Sequence, residues 1–337
     1  MDLTTKYMGL ELKNPIIIGA SNIPKDIKKA IEMEKAGAAA IVYKSLFEEQ
    51  IHLESAELDD DLSEYADRSP EMLSIFPSLE HAGPEAHLLA LKELKEKVSI
   101  PVIASLNCVY NESWEEYAVK LADTGIDALE LNFYSTVNSS AKDAAQIEKE
   151  QIEALEKVKK VVSIPVSVKL SPFYTNTVAF VEKLDKAGAD AFVLFNKLFQ
   201  PEIDIKNEQM LMPYNISSKG DGRLPLRFMG ILSGQVEGSL CANTGVLTGS
   251  DVVAQILAGA DAVQVVSAIY KNGIKEITAI IEEVKEFMQE KGYKSLDEFR
   301  GKMSKASLKD NPYAYKRAQY VDFLMRSDKI QDKYPVL

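Results

Sequence analysis

The chain has 337 residues, of which 46% are hydrophobic and 27% charged, the balance of a globular protein with a large core and no need of structural staples. Its 39 basic and 51 acidic residues leave a formal net charge of −12, which argues against a general nucleic-acid binder and against adhesion to anionic lipid. Two cysteines (Cys108, Cys241) and three histidines (His52, His81, His87) show no metal-ligand spacing, so neither a disulfide scaffold, nor a cysteine-held iron–sulfur cluster, nor any other metal is expected. The N-terminus lacks the apolar stretch of a signal peptide, and no apolar run approaches the ~20 residues of a membrane span. A cytoplasmic protein away from the membrane is the expectation.

Short apolar runs alternate with amphipathic helical segments along the chain. The run Pro15–Gly19 is followed by a helix over Lys25–Ala36, and Ala38–Lys44 by a long connection, Ser45–Gly83, and a helix over Pro84–Lys97. Then come Pro101–Asn107 with Ser113–Asp123, Ala128–Phe133 with Ala145–Val161, and Pro165–Leu170 with Asn176–Ala187. Ala191–Asn196 leads through a second long connection, Lys197–Arg223, to a helix over Leu224–Gln235. Ser239–Thr244 with Ser250–Leu257 and Ala262–Ser267 with Ile274–Lys291 complete the rhythm. Runs with so little polar alternation suit parallel strands covered on both faces. Eight of each predict an α/β fold, a (β/α)8 TIM barrel over residues 1–291, with long loops after strands two and six. The rival open sheet usually carries an early G-x-G-x-x-G, which is missing. Residues 292–337 read as a C-terminal helical extension, with a helix over Tyr313–Arg326 that packs on the barrel or on a partner.

Barrel enzymes work at the C-terminal tips of their strands. Here those tips carry Gly19-Ala20-Ser21, Lys44-Ser45, Asn107, Asn132, Lys169, Asn196, Thr244-Gly245 and Ser267-Ala268. A single strand-tip Lys is ordinarily a solvated rim charge, and a single Asn a turn residue. Six polar tips around one mouth instead suit a ligand that is anionic and rich in hydrogen-bonding edges. No His, Asp or Glu stands at a tip, Glu130 lying mid-strand, so paired-carboxylate hydrolysis and metal-activated water do not fit. The stretch Asn243–Ala260 places a glycine loop before a helix start. With the strand-eight tip, this is where many barrels bind phosphate through backbone amides.

Asn14-Pro15-Ile16-Ile17, Val42-Tyr43-Lys44-Ser45, Leu129-Glu130-Leu131-Asn132, Ser167-Val168-Lys169-Leu170-Ser171-Pro172, Thr244-Gly245-Val246 and Leu257–Gln264 occur in one order. Together they resemble the dihydroorotate dehydrogenases and their relatives, over roughly Leu3 to Gly273. That resemblance implies an FMN-carrying TIM barrel that oxidises dihydroorotate to orotate in pyrimidine biosynthesis. Ala20 and Ser21 would lie against the flavin ring, Lys44, Ser45, Asn107, Asn132 and Lys169 would contact it, and Thr244, Gly245, Ser267 and Ala268 would hold its phosphate. Ser135 falls on the position of the family's base, which removes one C–H proton as hydride leaves the neighbouring carbon for flavin N5; Ser135 and Lys169 are the expected catalytic pair. Asn132, Asn138 and Asn196 would bind the substrate. The family also implies a homodimer and an electron acceptor that is a small molecule or a redox protein.

Several positions depart from the family pattern. Tyr134 replaces a small residue, Lys197 stands where Ser or Thr is usual, Val266 replaces Gly or Tyr, and Asp67–Gly83 shows no counterpart of a substrate-binding Asn. These departures keep two alternatives open: an FMN oxidoreductase for another cyclic amide or carbonyl substrate, and a flavin-free phosphate-binding isomerase or lyase using a lysine amine.

Overall fold

The structure, a computed structural model, describes residues 1–48, 84–108, 111–133, 140–198, 200–211, 213, 216–308 and 315–326. Eight parallel strands close on themselves. They are β1 (Ile16–Ile18), β2 (Ala40–Val42), β3 (Val102–Asn107), β4 (Ala128–Phe133), β5 (Val166–Leu170), β6 (Ala191–Leu194), β7 (Ser239–Ala242) and β8 (Ala262–Val265). Each pairs with its sequence neighbours, and the register Val263↔Ile16 seals β8 to β1. The helices α1 (Ile27–Lys35), α2 (Pro84–Lys97), α3 (Asn111–Ala122), α4 (Ala144–Val161), α5 (Thr177–Lys186), α6 (Arg223–Leu232), α7 (Gly249–Ala258) and α8 (Glu276–Lys291) alternate with them. This is the expected (β/α)8 barrel.

Alternation along the strands sorts the core into two clusters. Outward residues such as Ile16, Ile41, Leu129, Leu131, Phe133, Val168, Phe192 and Val263 pack beneath the helices. Trp114 of α3, for instance, meets Phe133 edge-on at 5.5 Å between ring centroids. Inward residues Ile17, Ala40, Val42, Ile103, Ala128, Ala191, Val193, Cys241 and Ala262 form a separate interior cluster. Its alanines leave room for Tyr7, Met8 and Leu12, which belong to an antiparallel hairpin of Thr5–Tyr7 and Leu10–Leu12 that the sequence reading missed. Tyr7 is 1% exposed, and burial pushes its phenol well above its ordinary pKa, with the nearby Cys241 and Glu130 adding to the rise and a hydrogen bond to Ser167 opposing it.

A repeated Gly-x-Asp-Ala fastens three strand entrances. Asp127, Asp190 and Asp261 each accept the backbone N–H of a residue entering the preceding strand, Val102, Val166 and Leu240, at 2.7–2.8 Å. Each also faces a cation: Lys95 at 2.6 Å, Lys159 at 2.6 Å and Arg300 at 3.5 Å. Arg300 donates further to Ala260 O and to Thr5 Oγ1, and Thr5 Oγ1 donates to Asp261 O. Residues 292–308 thereby run along the barrel, with Leu296 and Phe299 fully buried. The helix expected over Tyr313–Arg326 is described as Ala318–Met325, and Tyr320, Val321, Leu324 and Met325 on it are exposed.

Some expected boundaries move. The last strands stop at Leu194, Ala242 and Val265, short of Asn196, Thr244 and Ser267, because the chain leaves the ladder there. Thr244 and Gly245 adopt φ of +77° and +76°, and Ser267 opens a short helix, Ser267–Asn272. The helix expected over Ser250–Leu257 is α7, which starts one residue earlier and is capped by Thr248 through a reciprocal Thr248–Asp251 box. The loop after β6 folds into a hairpin, Glu202–Asp204 with Gln209–Leu211, and residues Leu46–Phe47 pair with the end of β3. Among the described residues no helix is long and apolar enough to cross a membrane, and no group of three or more His, Cys, Asp or Glu side chains could hold a metal.

Candidate active site

Above the apolar interior cluster, the inward positions of the strands turn polar. Ser105 and Asn107 follow Ile103 by two and four residues, Glu130 and Asn132 follow Ala128 likewise, and Ser167 and Lys169 alternate with outward Val166, Val168 and Leu170. All six are at most 6% exposed. Closing the barrel gathers them beneath one mouth at the C-terminal end. Asn132 Oδ1 accepts from Asn196 Nδ2 at 2.8 Å, joining the ends of β4 and β6. Lys169 Nζ donates to Gln264 Oε1 at 3.1 Å and lies 3.5 Å from Glu130 Oε1, while Gln264 Nε2 donates to Glu130 Oε2. Ser45 Oγ is 2.7 Å from Ser105 Oγ, so its hydroxyl is engaged within the barrel. Ala20 packs against the interior cluster.

Lys44 follows inward Val42 by two residues and is half-buried. Its charge also reaches His87 on α2. Burial first, and then Lys44, lower the His87 imidazole to about 4, and its ring packs edge-on against Tyr43 at 5.1 Å. A histidine ordinarily titrates near 6.5, so the unfolded chain takes up this proton between about pH 6.5 and 4 while the folded one does not. Stability present above pH 6.5 is therefore lost as pH falls through that window, by about 3 kcal/mol at its lower end. Urea melts of wild type and His87→Phe at pH 7 and pH 4.5 check this: the variant should lose less stability between the two, and equal losses would refute it.

At the other end of the mouth three loops meet. Asn243 Nδ2 and Thr244 Oγ1 both donate to Phe195 O at 2.8 Å, pinning the left-handed turn after β7 to the end of β6. Gly245 presses on Gly222; a Cβ on Gly245 would lie 2.1 Å from Gly222 N. Ser267 Oγ accepts from Ser217 N at 2.8 Å, and Lys271 Nζ donates to Ser217 O at 2.7 Å. Lys197, the departure noted in the sequence, pairs with Asp221 Oδ2 at 2.6 Å and donates to Ile216 O at 3.0 Å, clasping the long loop to the β6 tip. Thr244, Gly245, Ser267 and Ala268 thus share one corner, opposite in character to the amide-and-lysine floor.

Three buried polar side-chain atoms at or beneath these strand tips have no hydrogen-bond partner: Ser21 Oγ, Asn107 Nδ2 and Glu130 Oε1. Buried polar atoms are rarely left so, and a ligand with hydrogen-bonding edges would satisfy those that face the mouth. Ser135 and Asn138 lie outside the described residues. Gln264 and the Lys197–Asp221 clasp were missed by the sequence reading, and Glu130 was set aside as mid-strand. Parity alone could have found the first and last of these, since Gln264 is the one polar residue between Val263 and Val265, and Glu130 shares the face of Asn132.

Lysines, asparagines and a glycine-built loop converge on one mouth of a closed (β/α)8 barrel, the architecture of a barrel enzyme with its site at the C-terminal end. The family model described as Dihydroorotate dehydrogenase matches residues 2–288, and the chain belongs to that family. It is therefore an oxidoreductase acting on CH–CH groups, in a family that depends on flavin. Among its relatives, the "Dihydroorotate dehydrogenase B (NAD(+)), catalytic subunit" of Thermoplasma volcanium is 25% identical over 311 residues, 89% of this chain and 98% of that protein. The protein of the same name from Methanothermobacter thermautotrophicus is 29% identical over 314 residues, 89% of this chain and 97% of its own length. "Dihydroorotate dehydrogenase A (fumarate)" of Lactobacillus helveticus is 28% identical over 211 residues, 60% of this chain and 68% of that protein.

Proposed function

We propose that the protein binds FMN at the barrel mouth and oxidises dihydroorotate to orotate, in the cytoplasm. The observation that carries this reading is the pairing of two unlike ends in one mouth: a buried floor of Asn107, Asn132 and Lys169, and a glycine-and-serine corner at Gly245 and Ser267. The residues present fit the flavin. Ser21 Oγ and Asn107 Nδ2 are buried and unpartnered, as expected of groups that await a ligand's polar edges. Thr244, Gly245, Ser267 and Ala268 would hold the phosphate through backbone amides and the Ser267 hydroxyl, that of Thr244 being given to Phe195 O, which needs no positive surface and so suits a chain of net charge −12. When bound, FMN would supply a hydride acceptor.

The chain's own groups do the rest. Ala20 and Ser21 would face the ring, and Lys44, Ser45, Asn107, Asn132 and Lys169 would hold its polar edge. Ser45 would do so without giving up its contact with Ser105. A lysine ammonium beside that edge favours added negative charge there. Asn132 and Asn196, already joined, would orient the substrate with Asn138, and Ser135 would take the C–H proton. The curated relatives' names include NAD(+), a catalytic subunit and fumarate. For this chain we place the acceptor among small molecules and redox partner proteins, and we propose a homodimer.

The test is a visible spectrum of the purified protein, repeated anaerobically with dihydroorotate. A yellow protein that bleaches supports the assignment. A yellow protein that does not bleach refutes dihydroorotate as the substrate; the family match and the dihydroorotate dehydrogenase relatives do not favour the other substrates left open by the sequence. A colourless protein that takes up no FMN refutes the cofactor.

A further inference from the structure

The network beneath the mouth spans the whole barrel. β4 and β8 are diametrically opposed, four strands apart in either direction round the ring. Gln264 reaches across from β8 and makes both ends of its amide count: Oε1 accepts from Lys169 Nζ at 3.1 Å, and Nε2 donates to Glu130 Oε2 at 2.5 Å. Glu130 is 0%, Gln264 1% and Lys169 6% exposed, so water cannot substitute for these partners. The amide has one permitted orientation. A carboxylate only accepts and an ammonium only donates, so the NH2 must face Glu130 and the carbonyl must face Lys169. Gly19, just beyond the end of β1, keeps the crossing open. A Cβ at Gly19 would stand 3.2 Å from Gln264 Oε1 and 2.7 Å from Val266 Cγ2.

We infer that Gln264, oriented by Glu130, is a positioning residue that fixes where the Lys169 ammonium sits under the ligand. The inference rests on the flavin reading above for its redox consequence, but not for the relay itself. Lys169 Nζ sits between Gln264 Oε1 and Glu130 Oε1, 3.1 and 3.5 Å away; without the Gln264 carbonyl it closes on the Glu130 carboxylate alone and draws away from the ring edge, weakening its preference for the reduced ring. Gln264 therefore biases the bound flavin toward reduction without touching it.

Gln264→Met keeps length and volume and removes both hydrogen bonds. FMN affinity would be measured by fluorescence quenching, and the midpoint potential by dye equilibration, for wild type, Q264M, Lys169→Met and the double variant. The expected result is a roughly tenfold shift of relative affinity toward oxidised FMN in Q264M, about 30 mV for a two-electron couple, and no further shift when Q264M is added to K169M. A folded Q264M with unchanged bias, or a shift that persists in the K169M background, overturns the relay. Gln264→Asn, polar but one methylene too short to bridge, replaces Q264M should the latter not fold. A flavin-free readout separates the two proposals: brief acetylation with mass-spectrometric quantification of the Lys169 peptide. Labelling should rise several-fold in Q264M. If wild type takes up no FMN, the cofactor reading fails, and this labelling alone then decides the relay, with equal labelling overturning it.

Discussion

Gly245→Ala should yield a protein that no longer holds its flavin. Two independent effects act at this position. The backbone is left-handed, with φ of +76°, where a residue with a side chain costs on the order of 1–3 kcal/mol. The added Cβ would also stand 2.1 Å from the amide nitrogen of Gly222, a backbone atom that cannot rotate away. The loop must open, and its opening separates the turn after β7 from the segment that ends in Gly222. The expected result is a roughly 100-fold rise in the Kd for FMN, equivalent to about 2.7 kcal/mol, with a loss of thermal stability of about 1–3 kcal/mol. Fluorescence titration reads the first and calorimetry the second. Because the barrel strands do not depend on this contact, the variant should still melt cooperatively, and undiminished FMN binding would show that the phosphate lies elsewhere.

Ser135→Ala should abolish most turnover while leaving the protein yellow. A positioned general base contributes about 10²–10⁴-fold, and kcat should fall within that range. Ser135 stands three residues beyond Asn132, which the described structure places in the floor of the mouth with its carbonyl oxygen bonded to Asn196. Loss of the hydroxyl leaves Lys169, Asn132 and the phosphate corner intact, so FMN affinity should not change. Anaerobic stopped-flow mixing with dihydroorotate follows flavin bleaching directly and separates slow chemistry from slow re-oxidation. Bleaching at the wild-type rate would remove Ser135 from the mechanism.

The barrel was legible because its strands are short, nearly unbroken apolar runs with local punctuation. Gly125-Ile126-Asp127, Gly188-Ala189-Asp190 and Gly259-Ala260-Asp261 mark strand entrances, and the same aspartates turn out to fasten them to neighbouring strands. The tips were legible as a set for the same reason, since knowing a strand gives its end. Three features were not legible. The hairpin of residues 5–12 has strands of three residues and a turn in which Met8 takes φ of +54°, so neither length nor turn chemistry announces it. The Gln264–Glu130 bridge joins residues 134 apart in sequence and opposite each other in the ring, a relation that only closure creates. Ser267 reads as a strand end because its neighbours are apolar, whereas the chain has already turned into the helix Ser267–Asn272.

The hairpin under the barrel has a kinetic consequence. The walls that Tyr7, Met8 and Leu12 rest against include Cys241 and Ala262, more than 200 residues further along the chain, and Thr5 is tied to Asp261 and Arg300. Contacts of such sequence separation form late, after the loop-closure entropy of most of the chain has been overcome. Until then the hairpin can meet only the sequence-near part of its cluster, Ile17, Ala39, Ala40 and Val42. Closure of the two ends of the barrel sequence is therefore the expected slow step, and burst-phase refolding should recover helical signal well before Tyr7 is shielded.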